Sequence, residues 1–385
     1  MKNLSILLIS CFFAIGSANY TALSYTDREC GSDVSNLWLD VVAVVDTSAH
    51  MTNAALNQVA ANILSVFSSG TRIGTDPSEP RTTRVGLVTY NSNATVADDL
   101  DKFQSLDDLY IGIYSGLNGV SQTNESDLSA GLLTAAKVLQ RNTTRLNYRK
   151  VIIVYTDYFD PNSNAEHVAS SLRSSGFIII PVGLNLGRNP DLQKYLTMIA
   201  SNGMNFTMNK DNLVEEIQQE LAYANCFCPD AWHQYTINNH RYGVCILPVN
   251  LIAVWRAASI SCKLRYNNAY MLNEYNQQKH DFVWNMVQNT LGFVEPIVYH
   301  TGLFISNGKW VWDQPKGWPN PPLQNWTNWD GGVPVPSSTT IAVANIQTGN
   351  LALWKNMATL NSGAQYVCEV ATCDTDNYCE YNAKE

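Results

Sequence analysis

Residues 39–50 read Leu-Asp-Val-Val-Ala-Val-Val-Asp-Thr-Ser-Ala-His, and the fold of the first half of the chain turns on them. The run from Val41 to Val45 is apolar and β-branched, then stops at Asp46. A strand of this kind suits burial on both faces, as in a parallel sheet. Open α/β sheets bind ligands at the carboxyl ends of their strands. Asp46 and Ser48 therefore stand where a ligand rim is expected. They read in two ways: as half of an oxygen cup for a metal, or as helix-capping groups.

Working outward, helix and strand patterns alternate. Ala55, Val59, Ile63, Leu64 and Phe67 fall at helical spacing within 52–68. Strands are expected at 83–90, 94–98, 150–156 and 177–182. Helices are expected at 106–117, 127–139, 164–174, 191–199 and 211–224. This alternation predicts an α/β domain over 37–225 with a doubly wound, mostly parallel sheet. Residues 94–98 follow a tight turn and should form an antiparallel edge. The strand 150–156 ends in Thr156-Asp157, and Ser126 precedes a helix. Asp46, Ser48, Ser126 and Asp157 thus come from three loops on one rim. Two carboxylates, two hydroxyls and water suit a hard divalent cation.

On these residues the segment resembles the von Willebrand factor A domain. The metal-ion-dependent adhesion site of that family has the pattern Asp-x-Ser-x-Ser, a Thr on a second loop and an Asp on a third. Asp46 and Ser48 match, Ser126 takes the place of the Thr, and Asp157 that of the last Asp. His50 stands where the family has Ser, so the site is degenerate. Imidazole is larger and softer than a hydroxyl. A glycan at Asn124 would lie two residues from Ser126. The resemblance implies one divalent cation, Mg²⁺ or Mn²⁺, completed by a carboxylate from a partner.

The 385 residues are enough for two or three domains. Residues 1–18 read as a secretory signal peptide: Lys2, an apolar body from Leu4 to Ile15, then Gly16-Ser17-Ala18. No later run approaches a membrane span, so the mature chain is expected to be secreted. A formal charge of −9 leaves no basic stripe for nucleic acid. Sequons begin at Asn19, Asn93, Asn124, Asn142, Asn205 and Asn325, and would place those that are used at the surface. Beyond the signal, eight cysteines remain, an even number that points to four disulfides.

Composition shifts at Cys226. Of the ten Trp, all but Trp38 and Trp232 follow residue 254. Helices are expected at 252–265 and 281–291, then Pro/Gly/Asn-rich loops and a return strand ending in Tyr366-Val-Cys368-Glu. This describes an α+β domain over 228–371, stapled by disulfides, with a tail at 372–385. Cys228-Pro-Asp-Ala-Trp232, Thr301-Gly-Leu303, Trp310-Val-Trp312-Asp313 and the return strand resemble a C-type lectin-like domain. The resemblance implies Cys228–Cys245 and Cys262–Cys368. Cys30 and Cys226 flank the first domain, whose ends should lie close, and are expected to pair. That leaves Cys373–Cys379, and the sequence permits other pairings.

Sugar binding in that family uses Ca²⁺ held by a Glu/Gln-Pro-Asn/Asp motif and a Trp-Asn-Asp motif. Here Val333-Pro334-Val335 and Trp354-Lys355-Asn356 fall at those places, and Gln314-Pro315-Lys316 fares little better. Ca²⁺ is not expected. Trp318, Trp326 and Trp329, in the aromatic loop 312–335, read either as core fillers or as a ligand surface.

The six His fall in no HExxH or nucleophile-elbow motif, so an enzyme is not expected. The pairing of domains resembles the secreted nematode C-type lectins. It implies an extracellular binding or adhesion protein with a protein or glycan ligand, in innate defence or at a surface barrier. Two alternatives stand beside it: a true carbohydrate-binding lectin that uses aromatic loops, and a structural extracellular component with vestigial sites.

Overall fold

In chain order the first domain runs β1 (Leu39–Asp46), α1 (Asn53–Phe67), β2 (Arg84–Tyr90), β3 (Ala94–Asp98), α2 (Leu106–Gly116) and α3 (Leu128–Arg141). It continues with β4 (Arg149–Thr156), α4 (Ala165–Ser174), β5 (Ile178–Gly183), α5 (Leu192–Ile199), β6 (Phe206–Thr207) and α6 (Leu213–Ala224). The computed structural model describes residues 26–68, 70–141, 145–160, 163–184, 191–332, 334–335 and 339–380. The signal at 1–18, the sequons at Asn19 and Asn142, and Val333 lie outside the described residues.

Every residue of β1 is buried. Strand alternation sends Val41, Ala43 and Val45 into one apolar cluster and Val42 and Val44 into another. Leu56, Val59 and Ile63 of α1 meet Ile217 and Leu221 of α6 in the first cluster. Leu132 of α3, Leu172 of α4 and Leu196 of α5 fill the second. The sheet order is β3-β2-β1-β4-β5-β6. All neighbours are parallel except β3, which is antiparallel to β2. The winding reverses between β1 and β4, so their carboxyl ends flank the crevice where such sheets place ligands.

The opposite end of β1 carries a buried charge. Arg84 faces Asp40 across the ladder and donates twice to its carboxylate, at 2.7 and 2.6 Å. Both side chains are at most 2% exposed, and Arg145 adds a second guanidinium at 3.6 Å.

The second domain contains β7 (His233–Ile237), β8 (His240–Val254), α7 (Trp255–Arg265), β9 (Tyr270–Met271) and α8 (Gln277–Gln288). Then come β10 (Val298–Ser306), β11 (Lys309–Trp312), β12 (Ala342–Thr348), β13 (Leu351–Met357) and β14 (Gly363–Ala371). One sheet runs β13-β12-β10-β14-β8-β7, with β11 on β10 and β9 on β14. The helix expected from 252 starts only at Trp255, because Ala253 and Val254 extend β8 and pair with Ala364 and Gly363. The helix expected from 281 starts at Gln277, where the Asn276 side chain accepts from the Lys279 amide. That extra turn brings Lys279 and His280 into the interior.

Four disulfides join Cys30–Cys226, Cys228–Cys245, Cys262–Cys368 and Cys373–Cys379. The N-terminal segment belongs to the second domain: Glu29 pairs with Tyr242, the Gly243 amide donates to the Arg28 carbonyl, and Lys279 binds Asp27 at 2.6 Å. The first domain is therefore inserted between Cys30 and Cys226. Residues 372–379, expected as part of a tail, pack into the junction. Trp38 is fully buried there, with Tyr148, Phe227 and Tyr378 rings 5.0 to 5.3 Å away, and its indole N–H donates to the Asp374 carbonyl at 3.0 Å.

Two expectations follow, one from the buried Arg84–Asp40 pair and one from His300, which is fully buried on β10. Arg84→Met should cost the first domain about 3–5 kcal/mol, because Asp40 loses its bidentate partner inside the fold; denaturant unfolding checks this, and a loss below about 1 kcal/mol would contradict it. Burial pushes the His300 imidazole down to about 4. A depressed folded-state value means stability present above the unfolded value near 6.5 and lost as pH falls toward 4. The loss should reach about 3 kcal/mol for this group. His300→Gln should show a correspondingly smaller drop between pH 7 and pH 4 in chemical denaturation.

Candidate metal rim and the lectin-like face

Asp46 ends β1 with no exposure to solvent. Its Oδ1 accepts from the Ser48 amide at 2.8 Å. Its Oδ2 accepts from the Ser126 hydroxyl at 2.9 Å and lies 3.1 Å from Thr156 Oγ1. Thr156 has one proton to give and sits closer, 2.6 Å, to the Tyr158 carbonyl. Burial raises the Asp46 carboxyl above its ordinary range, and the Ser48, Ser126 and Thr156 hydrogen bonds pull it back down. Asp157 follows Thr156 at the mouth of β4 and is 8% exposed. Three loops thus converge on one desolvated carboxylate. Above Ser126 lies an open hollow of about 510 Å³ bordered by Asn124, Asp127 and Tyr158.

The capping alternative fails on geometry. Thr52 caps α1 by accepting from the Ala55 amide. Asp127 takes the Ala130 amide at the start of α3. Ser126 is thereby free to turn its hydroxyl onto Asp46. His50 does a different job from the serine it replaces. Its ring stacks on Tyr158 at 3.9 Å with a 7° tilt, and Nε2 lies 2.8 Å from the Asn124 carbonyl oxygen. It braces all three rim loops.

The donors fit a hard divalent cation. They are carboxylate and hydroxyl oxygens, and among the described residues no cationic side chain pairs with Asp46. Nor, among the described residues, do three His, Cys, Asp or Glu side chains gather in metal-binding array. Asp46, Ser48, Ser126 and Asp157 would hold the ion, which would supply a Lewis-acid centre for an anionic ligand oxygen.

Residues 40–220 match the family model of the von Willebrand factor type A domain. The chain carries a von Willebrand factor type A domain. The whole chain is 27% identical to C-type lectin domain-containing protein 160 of Caenorhabditis elegans over 91% of its own length, and spans 56% of that relative. Proximal thread matrix protein 1 from the mussel byssus, solved with zinc in its MIDAS motif, is 22% identical with a TM-score of 0.41. That likeness covers 50% of this chain and 48% of the mussel protein. The C-type lectin domain of murine dendritic cell inhibitory receptor 2, solved with an N-glycan, is 17% identical with a TM-score of 0.29 over 38% of this chain and 99% of that one. The chain thus has C-type lectin-like neighbours among solved structures.

In that lectin-like domain an ammonium occupies the region of the expected calcium motifs. Lys355 Nζ lies 2.8 Å from Asp330 Oδ2. Asn356 Oδ1 accepts from the Val335 amide, and its Nδ2 donates to the Thr340 carbonyl. The three Trp of the aromatic loop part company. Trp329 is 8% exposed against Trp310 and Trp354, and Trp326 packs edge-on against Trp354 at 5.1 Å. Trp329 takes the core reading, which removes it from the expected ligand surface, while Trp326 is half-buried at the core's edge. Trp318 alone of the three is open, at 63%. Among the sequon residues Asn93, Asn124 and Asn325 are exposed. Asn205 is half-buried, and its Nδ2 already donates to Gln193 and Thr197.

Sequence reasoning missed Thr156 and Tyr158. The signal for Thr156 was its hydroxyl directly before Asp157; a ring-on-ring contact between separate loops leaves no local trace. His50→Ser removes the stack and the link to Asn124, worth about 1 kcal/mol. The A domain should then melt roughly 2–4 °C lower by calorimetry. An unchanged midpoint would mean that His50 does not brace the rim.

Proposed function

We propose that the chain is an extracellular binding or adhesion protein whose A-domain rim takes a ligand carboxylate through Mg²⁺ or Mn²⁺. One observation carries this reading. A fully buried Asp46 is ringed by hydroxyls from separate loops, with no positive side chain beside it among the described residues. Burying a carboxylate this way is costly unless a cation compensates. The divalent ion is that cation, and the open hollow over Ser126 admits the ligand. Four disulfides and the two recognition folds agree with an extracellular setting. Among the described residues no helix is long and apolar enough to cross a membrane. Innate defence or adhesion at a surface barrier is the setting proposed for such a chain, and the ligand is a protein or a glycan.

The reading gives the lectin-like domain no Ca²⁺-dependent sugar site, because Lys355 supplies a fixed positive charge to Asp330. It gives the chain no catalytic role. His50 is spent on the Tyr158 stack, and His280 and His300 are sealed in the interior. A lectin reading through the aromatic loop is weakened by the packing of Trp326 and Trp329.

Isothermal titration with Mg²⁺, Mn²⁺ and Ca²⁺ tests the proposal. The wild type should give saturable heat with Mg²⁺ or Mn²⁺, and Asp157→Ala should abolish it. No heat in the wild type would leave the A domain as a scaffold and favour a structural role. Sugar binding that is lost on chelation would return the calcium site to the lectin-like domain.

A further inference from the structure

A second cleft, of about 710 Å³, lies on the lectin-like domain. It opens where the N-terminal segment, the turn after α7, the loop around Trp318 and the C-terminal residues 376–380 meet. None of the rim residues Asp46, Ser48, Ser126 or Asp157 borders it. Its volume falls in the range of small-molecule sites.

The walls are aromatic. Tyr270, Tyr275 and Trp318 line the cleft, and Trp318 presents an open ring at its edge. The charge is negative. Asp27 and Glu369 stand at the floor, with Asp376 and Glu380 exposed at the mouth. The two cations nearby are already committed. Arg28 is bound to Asp374, with Asp376 at 3.6 Å, and Lys279 lies between Asp27 at 2.6 Å and Glu369 at 2.9 Å. A concave, carboxylate-rich wall of low dielectric focuses negative potential into the space it encloses.

The protein already uses this chemistry once. The Lys279 ammonium is fully buried, held by two carboxylates, with the Tyr275 ring centre 5.4 Å away and that of Tyr235 5.8 Å away. Carboxylates together with aromatic faces hold an internal ammonium there. The cleft offers the same two elements to the outside: rings on its walls and two exposed carboxylates at its mouth. Attraction of a cation to a ring face is strongest for tryptophan. We propose that this cleft binds a small organic cation, with its ammonium group set against the Trp318 ring and facing Asp376 and Glu380. An anion would face the exposed Asp376 and Glu380, and a neutral ligand would leave the charge at the mouth unused.

Choline chloride is the probe, titrated into the two-domain protein with its four disulfides intact, by calorimetry and tryptophan fluorescence. Chelator is present, so the A-domain metal plays no part. Saturable binding is expected, weakening as salt rises, with methyl α-glucoside giving none. Trp318→Ala should weaken choline binding about tenfold. Asp376→Asn should weaken it roughly threefold and flatten its salt dependence. Wild-type melting temperatures in both variants separate lost binding from lost folding, and if Trp318→Ala fails to fold, Asp376→Asn carries the test. No saturable choline binding by the wild type would overturn the proposal. So would binding unchanged in the variants, or methyl α-glucoside bound as tightly as choline.

Discussion

The first domain is built inside a loop that starts and finishes at one disulfide. Cys30 and Cys226 are 196 residues apart in sequence and joined in space. Closing a loop of that length restricts the unfolded chain by about 5 kcal/mol in the entropic view. The bridge also dictates where β1 begins and where α6 ends. With those ends held together, Trp38 is drawn into the junction, where rings from the A domain, the connector and residue 378 enclose it. Arg28 fastens the same place from the other side by binding Asp374. The relation of the two domains thus rests on one covalent link and one buried indole, with hydrogen bonds from Arg241 to Tyr223 and from Asn147 to the Cys379 carbonyl beside them.

The two recognition folds treat cations in opposite ways. The A-domain rim keeps a desolvated carboxylate ringed by hydroxyls from separate loops. The lectin-like domain meets its carboxylates with cationic side chains of its own. Lys355 sits on Asp330, Lys279 sits between Asp27 and Glu369, and His280 lies 3.2 Å from the fully buried Glu274. The lysine pairs cross-link segments distant in sequence, the service a bound calcium gives to long loops, whereas His280 and Glu274 are only six residues apart.

Much of this was legible in the sequence. The buried strand at 39–46, the alternation that follows it and the convergence of Asp46, Ser48 and Ser126 come from patterns of period two and 3.6, which are local. The start of α7 was misplaced because Leu251 and Ile252 are apolar enough for helix, while the cross-strand partners of Ala253 and Val254 are over 100 residues away. Trp326 and Trp329 read equally well as surface or core, since their burial depends on Trp310 and Trp354 coming back to meet them. His50 looked like an intruder in the cup. Its partner Tyr158 lies beyond the next loop but one, and no spacing rule links them.

Because the A domain is inserted, its two ends leave side by side at the amino ends of the strands, while the rim lies at the carboxyl ends. The eight residues of β1 alone separate the two by roughly 26 Å. A tensile load applied at the rim and resisted by the lectin-like domain therefore does not draw one terminus away from the other. The load runs down the strands and divides between two adjacent exits bolted together by Cys30 and Cys226. Chains with a domain threaded in series lengthen by unravelling from an end. This domain offers no end to pull, so tension would have to break its strand pairing as a block.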